Sequence, residues 1–265
     1  MTAPVGLQGF ICRRGEVNFE YCINYCPSRC HPLPLLFALM AHREVVPNVY
    51  SVTEILNPPQ IVYLRRNRPY YNTIESLIWM TLGTAWHSVV EAQEESIVEH
   101  GLGGIHGVEQ AFEVNINGTT LTGRADYYDG ETKTLWDFKT MKVYPVKKIM
   151  AGDWEDSTYK EQLNIYKVYG FPGAEHLKIE AIVKDWAIRT KDVRPLEVID
   201  VPMMPESEVR NMTEMLLMEH TNAQKSGRPR ECTDEERWYR NGVYQRCKDY
   251  CAVSGVCPQY NEDDT

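Results

Sequence analysis

The sequence predicts an α/β domain with a mixed β-sheet flanked by helices. Three observations lead there. Residues 74–99 carry apolar side chains at helical steps, residues 111–139 switch to a two-residue period, and residues 156–169 return to a helix that precedes another strand.

Taken in order, residues 1–48 read as irregular and punctuated by Pro and Cys, with a short apolar helix from Leu33 to about His42. Ser51-Val52-Thr53-Glu54 has the form of a helix start, with a hydroxyl cap ahead of Ile55 and Leu56. Pro58 and Pro59 interrupt it, and a short helix follows over Ile61–Arg66. Leu77, Ile78, Leu82, Trp86, Val89, Val90 and Ile97 mark the long helix, which Gly101-Leu102-Gly103-Gly104 ends. Ala111–Ile116 alternates, Asn117-Gly118 is a hairpin turn, and Thr119–Tyr128 is the returning strand. Asp129-Gly130 turns the chain into a third strand, Thr134–Lys139. The helix at 156–169 carries Leu163, Ile165, Tyr166 and Tyr169, and strands follow at Leu177–Arg189 and Leu196–Val201. Pro205 opens a last helix to Gln224, and the tail after Gly227 is rich in Cys, aromatic and charged residues. The expected division is a Cys-rich segment at 1–48, a core at 49–203, and a C-terminal helix with a Cys-rich tail at 204–265.

Of the 265 residues, 43% are hydrophobic and 25% charged, which is ordinary for a globular chain. No run of 18 apolar residues occurs, so no membrane partner is expected. The first residues lack a long apolar core and a cleavage site, so the expected location is cytoplasmic, in a bacterium or a phage-infected host. A net charge of −9 argues against a protein that coats nucleic acid non-specifically. It leaves room for an acidic site whose sign a bound cation reverses. Two basic clusters, Arg65/Arg66/Arg68 and Lys142/Lys147/Lys148, read most simply as solvated faces.

The residues that suggest chemistry are Asp126, in Gly123-Arg124-Ala125-Asp126, and the triplet Asp137-Phe138-Lys139. Adjacent antiparallel strands can bring the two carboxylates together. Asp137 and Lys139 are two apart and share one face of their strand. Converging carboxylates suit Mg²⁺ or Mn²⁺, and a lysine beside them can orient water or steady a phosphate. Alone, Asp-x-Lys is a common surface triplet. Two further elements add to it. His87 and Glu91 are four apart on the preceding helix, with His87 a candidate metal ligand and Glu91 a weaker one. Gln162 and Tyr166 share a face of the following helix and can hold a phosphate or the lysine.

In this order the residues resemble the RecB-like branch of the PD-(D/E)XK nuclease superfamily. Its pattern is G-x3-H-x3-E, G-x-x-D, D-x-K and Q-x3-Y, matched at His87, Asp126, Asp137, Lys139, Gln162 and Tyr166. The resemblance spans roughly 50–260. It implies a restriction-endonuclease-like core, dependence on Mg²⁺ or Mn²⁺, and DNA as substrate. The function it suggests is exonuclease action on DNA ends or single strands, in recombination, repair or phage DNA processing. An endonuclease acting on flaps or CRISPR spacer precursors, and a non-catalytic DNA- or partner-binding module, are the alternatives. No G-x4-G-K-[ST] loop is present, so any unwinding falls to a helicase or recombination partner. Oligomeric state stays open.

The eight cysteines fall at the two ends. Without a secretion signal, metal sites suit them better than disulfides. Cys247, Cys251 and Cys257 resemble the C-terminal cysteines of iron–sulfur members of this branch. Those members add a cysteine upstream of the His helix, whereas the comparable segment here, Leu56–Gln60, has none. Cys232 is then the natural fourth ligand of a 4Fe-4S cluster, with zinc the competing metal. Cys12, Cys22, Cys26 and Cys30 read as a zinc site with His31 as a substitute ligand, unless one of them joins the C-terminal site.

Overall fold

The computed structural model describes residues 5–28, 30–40, 45–101, 106–155 and 157–260. In chain order the elements are β1 (Gly6–Cys12), β2 (Gly15–Asn18), α1 (Phe19–Asn24), α2 (Leu33–Met40), β3 (Val49–Ser51), α3 (Val52–Ile55), α4 (Pro59–Asn67), β4 (Pro69–Thr73), α5 (Ile74–Glu91), α6 (Glu94–Glu99) and β5 (His106–Ile116). They continue with β6 (Thr119–Asp129), β7 (Thr134–Met141), α7 (Val143–Met150), α8 (Tyr159–Tyr169), β8 (His176–Val183), β9 (Leu196–Asp200), α9 (Glu206–Ser226), β10 (Tyr239–Arg240), β11 (Val243–Tyr244) and α10 (Gln245–Asp249). None of the described helices is long and apolar enough to cross a membrane.

The chain forms two compact units, and neither is a single stretch. Met1–Pro47, Asn57–Leu82 and Met218–Thr265 make the first; Asn48–Leu56 and Gly83–Leu217 make the second. α4 and β4 fall in the first unit, with both cysteine-bearing ends.

In the first unit, residues 1–48 prove ordered over much of their length rather than irregular. β1 lies between β2 (antiparallel) and β4 (parallel). The alternation that would announce β1 is broken by a register shift between Leu7 and Gly9, so Leu7 and Phe10 are both buried. They pack with Phe19, Cys22, Leu36, Leu39 and Leu77. The expected helix at Leu33 forms, and its expected end, 41–42, lies outside the described residues.

The second unit is α/β. Its six-stranded sheet runs β3-β6-β7-β8-β9, with β5 against β6. Pairings β3/β6 and β7/β8 are parallel and the others antiparallel, so the sheet is mixed. The Asn117-Gly118 turn forms with both residues at positive φ, 51° and 83°, as a two-residue hairpin of the primed type needs. It pins the register from Ile116↔Thr119 back to His106↔Asp129. β5 occupies one edge of β6, so β3 and β7 share the other: β3 at Thr120–Thr122, β7 at Tyr127–Asp129. Residues 123–126 face the fork between them.

Ser51 accepts from Glu54 N–H at 3.3 Å while the Glu54 carboxylate takes the Ser51 N–H at 3.0 Å, so the expected cap holds α3 at the end of β3. α3 and α8 pack against β6, and α8 also against β7. Val52, Ile55, Leu121, Leu135, Leu163, Ile165 and Ile179 are fully buried. Three expectations are corrected. The helix at 74–99 breaks after Glu91, where Gln93 N–H bonds the Val90 carbonyl at 2.9 Å in a tightened turn before α6. The strand from Leu177 stops at Val183 rather than Arg189, because Lys184-Asp185 ends the alternation and Trp186 Nε1 ties the turn to Val193 O at 2.9 Å. α7 went unexpected: Pro145 looks like a breaker, yet in a first helical turn it removes no hydrogen bond. Of Gly101-Leu102-Gly103-Gly104, expected to end the long helix, residues 102–104 lie outside the described residues, as does 156.

Candidate metal centre

The fork in β6 gathers the acidic residues. The β6/β7 ladder runs Asp129↔Thr134, Tyr128↔Leu135, Tyr127↔Trp136 and then opens. At the opening, Asp126 Oδ2 accepts the Phe138 N–H at 2.6 Å, replacing the ladder bond with a side chain. Asp126 and Asp137 are both buried. The two strands thus bring together the carboxylates that the sequence singled out.

The same register adds a residue the sequence reading passed over. Every pair from Ile116↔Thr119 to His106↔Asp129 keeps one offset, which sets Glu109 opposite Asp126. That pair makes no ladder contact, and Glu109 has φ 50°, so the strand kinks there. The turn Asn117-Gly118 is enough to count this position from sequence. It was missed because the strand was started at Ala111.

His87, on α5, completes the group. Its Nδ1 lies 3.2 Å from Asp126 Oδ1 and 3.4 Å from Glu109 Oε1. Ligand atoms of His87, Glu109 and Asp126 all lie within 4.8 Å of one another. Glu91, expected as a weaker ligand, is corrected: it is exposed at the end of α5 and outside this group, and Glu109 takes the place proposed for it.

Asp137 stands beside the group and is held from three directions. Lys139 Nζ lies 2.8 Å from Oδ1 and 2.7 Å from Oδ2, and Gln162 Nε2 donates to Oδ1 at 3.2 Å. Gln162 Nε2 also reaches Tyr166 Oη at 3.0 Å. The expected Gln162–Tyr166 face of α8 therefore braces Asp137. Tyr159 adds its ring, 5.3 Å from Lys139 Nζ. Gly123 explains the shape of this wall. A Cβ there would lie 2.3 Å from Phe112 Cε1 and 2.9 Å from Tyr166 Cε1, so only glycine lets Phe112 pack edge-on to Tyr166 at 5.7 Å.

Glu109 Oε1 is buried and accepts no hydrogen bond, whereas Asp137 Oδ2 is met by the Lys139 ammonium at 2.7 Å. Burial pushes the Asp137 carboxyl up to about 6, against the pull of Lys139. Burial and then the facing Asp126 raise Glu109. His87 is raised by its hydrogen bond to Asp126. Burial pulls Lys139 down, but Asp137 and Asp126 outweigh it and keep the ammonium charged. Burial pushes Tyr166 up to about 12. A buried acceptor without a hydrogen bond, and two carboxylates set opposite each other, are arrangements that a divalent cation relieves. Hard oxygens with one imidazole fit Mg²⁺ or Mn²⁺.

Lys142, Lys147 and Arg68 are exposed, as on a solvated face, but the other members of the basic clusters are not. Arg66 is buried with Nη1 3.4 Å from Val46 O, and Arg65 Nε is buried without a partner. Lys148 pairs with Asp153 at 2.9 Å. A cleft of about 600 Å³ in the first unit, lined by Tyr63, Arg68, Arg228 and Pro229 among others, contains none of the acidic group.

In the first unit the C-terminal cysteines share one neighbourhood. Cys232, Cys251 and Cys257 pack on buried Ile61, Leu64 and Val253. Gln60 Nε2 donates to Cys257 Sγ at 3.0 Å, so the segment that lacks a cysteine presents Gln60 at this site. Gln259 binds both the N–H and the carbonyl of Cys232, at 2.9 and 2.8 Å. Burial pushes the Cys232 thiol up to about 12 and raises Cys251, with Arg65 and Arg246 opposing it at Cys251. Arg237 hydrogen-bonds Cys247, and its Nε, like that of Arg65, is a buried donor without an acceptor. The N-terminal cysteines are also reduced, with Cys22 buried and Cys12 and Cys26 packed on its cluster.

No family model matches this chain, and no curated protein matches it. Among solved structures it is similar to the crystal structure of SSO0001, at 19% identity and a TM-score of 0.49, over 84% of this chain and 94% of that one.

Proposed function

We propose that this protein is a divalent-metal-dependent nuclease that hydrolyses DNA phosphodiester bonds, with the second unit as a restriction-endonuclease-like core. The observation that carries the reading is the convergence of His87, Glu109 and Asp126, whose ligand atoms lie within 4.8 Å of one another, beside the buried Asp137–Lys139 ion pair. His87, Glu109 and Asp126 would hold Mg²⁺ or Mn²⁺, and Asp137, ion-paired to Lys139, stands beside them. When bound, the ion supplies Lewis acidity toward a phosphoryl oxygen and lowers the pKa of water. Lys139 places a cation where a phosphate's negative charge builds, and Gln162 with Tyr166 keeps Asp137 from swinging away. The substrate is DNA, taken at ends or as single strands, and unwinding falls to a helicase or recombination partner. The four C-terminal cysteines hold a thiolate-ligated centre, a 4Fe-4S cluster in preference to zinc, that fastens the tail to α4.

The test is cleavage of end-labelled single- and double-stranded DNA, with free or blocked ends, in Mn²⁺ or in EDTA. Asp137→Asn is the informative variant. Asp137→Ala would strand a buried Lys139 ammonium, which typically costs about 3–5 kcal/mol. Cleavage should vanish in EDTA and in Asp137→Asn. Full activity of clean Asp137→Asn protein would refute the assignment.

A further inference from the structure

We propose that Cys12, Cys22, Cys26 and Cys30 form a structural zinc site that fastens the β1–β2 hairpin to α1 and the loop after it. This stands apart from the nuclease reading and shares no residue with it.

The four residues come from three local pieces, and the fold ties those pieces together. Cys12 closes β1 opposite Gly15, at the tip of the hairpin. Its Sγ accepts the Arg14 N–H at 3.3 Å, so the turn backbone already donates to this sulfur. Such N–H···S bonds suit a thiolate better than a neutral thiol. Asn18 caps α1 by accepting the Glu20 N–H at 2.7 Å, which starts the helix immediately after β2. Cys22 lies in α1 and Cys26 just past its end, where Cys26 N–H bonds Tyr21 O at 3.0 Å and folds the chain back on the helix. Arg14 then donates from Nη2 to Ser28 Oγ at 2.8 Å, pinning the hairpin tip to the segment between Cys26 and Cys30.

The chemistry of the set points the same way. Cys22 is buried in a small core with Leu7, Phe10 and Phe19. All four are free thiols. Burial raises Cys22, and Cys26, Cys30 and Cys12 each add to the rise, so the other three sulfurs all act on this one. Cys22 and Cys26 are hydrogen-bond partners. That contact suits a single tetrahedral ion, in which Zn–S bonds of about 2.3 Å set sulfurs roughly 3.8 Å apart. The full set is not drawn so close: among the described residues, three ligand atoms within 4.8 Å occur only at His87, Glu109 and Asp126. Cys30, exposed and in irregular chain, is the ligand that moves in. A seven-residue core cannot hold such short elements firmly, and a metal supplies the missing cross-link.

The test is metal content of the full-length protein purified without chelator, comparing wild type, Cys22→Ser/Cys26→Ser and Cys257→Ser. The expected result is zinc in wild type, lost in the double variant and retained in Cys257→Ser. Zinc unchanged in the double variant overturns the proposal, as does iron with sulfide at this set. Because the double variant removes a core residue, Cys30→Ser provides a second reading. It should fold, and should release zinc to a chelator about tenfold faster or more. Release at the wild-type rate, or N-terminal thiols that react freely in the native protein, would also overturn it.

Discussion

Glu109→Gln should stabilise the metal-free protein and destabilise the metal-loaded one relative to wild type. Glu109 faces Asp126 across the β5/β6 pair, and its Oε1 is buried without a donor. Opposed like charges cost up to about 1 kcal/mol, and an unsatisfied buried acceptor about 1–3 kcal/mol. Glutamine keeps the shape, removes the charge and offers an N–H₂ to Asp126. A net gain of about 1 kcal/mol in EDTA is expected, which raises the melting temperature by roughly 2–4 °C for a domain of this size. With Mn²⁺ at 100 times its Kd, binding adds about 2.7 kcal/mol to wild type, and the variant forfeits most of that. The order of the two melting temperatures therefore inverts between EDTA and Mn²⁺. The pH dependence has a definite sign. Burial and Asp126 raise the Glu109 carboxyl above its usual 4.5, so its ionised form is what destabilises. The advantage of glutamine should be full above the raised pKa and fade as pH falls through it toward 4.5. Scanning calorimetry of both proteins, in EDTA and in Mn²⁺, reads all of this. If the variant melts below wild type in EDTA and both gain equally from Mn²⁺, the reasoning about Glu109 is refuted.

Three further outcomes are expected. His87 is raised above 6.5 by its hydrogen bond to Asp126, so the stability it lends the metal-free protein is present below 6.5 and lost as pH rises through the raised value. Mn²⁺ affinity should climb over that same interval as the proton leaves, and calorimetric titration that finds no pH dependence there would remove His87 from the ligands. Gly123→Ala should cost about 1–3 kcal/mol, because its Cβ meets the Phe112 ring wedged beside Tyr166. Phe112→Leu in the same chain should recover part of the loss, and additive effects in the double-mutant cycle would show that the clash is not the cause. Cys257→Ser should lower the metal held by the C-terminal set, seen as loss of visible absorbance for iron or of bound zinc. An unchanged metal content would exclude Cys257 as a ligand.

Much of the second unit was legible because local rules act there without competition. The Asn117-Gly118 turn, the Ser51–Glu54 cap and the alternation in β6 through β8 each depend on residues close in sequence. The first unit was harder to read. β1 pairs in parallel with β4, some sixty positions away, and its bulge hides the alternation. α7 was hidden by a proline that its position makes harmless. At the site, Asp126, Asp137, Lys139, Gln162, Tyr166 and His87 come together as their order suggested, whereas Glu91 does not.

The sequence by itself determined the hairpin register, and with it which residues could oppose Asp126, since a two-residue turn leaves no freedom to slip. It also determined that Asp137 and Lys139 share a face. Tertiary structure alone decided the rest. Where β3 and β7 divide the edge of β6, the ladder opens, and the Asp126 carboxylate accepts the Phe138 N–H in place of a ladder carbonyl. Burial then strips the carboxylates of water and leaves Glu109 Oε1 without a hydrogen bond. Charge and spacing can be read along a chain. Desolvation depends on what packs around a residue, and that is settled only when distant segments meet.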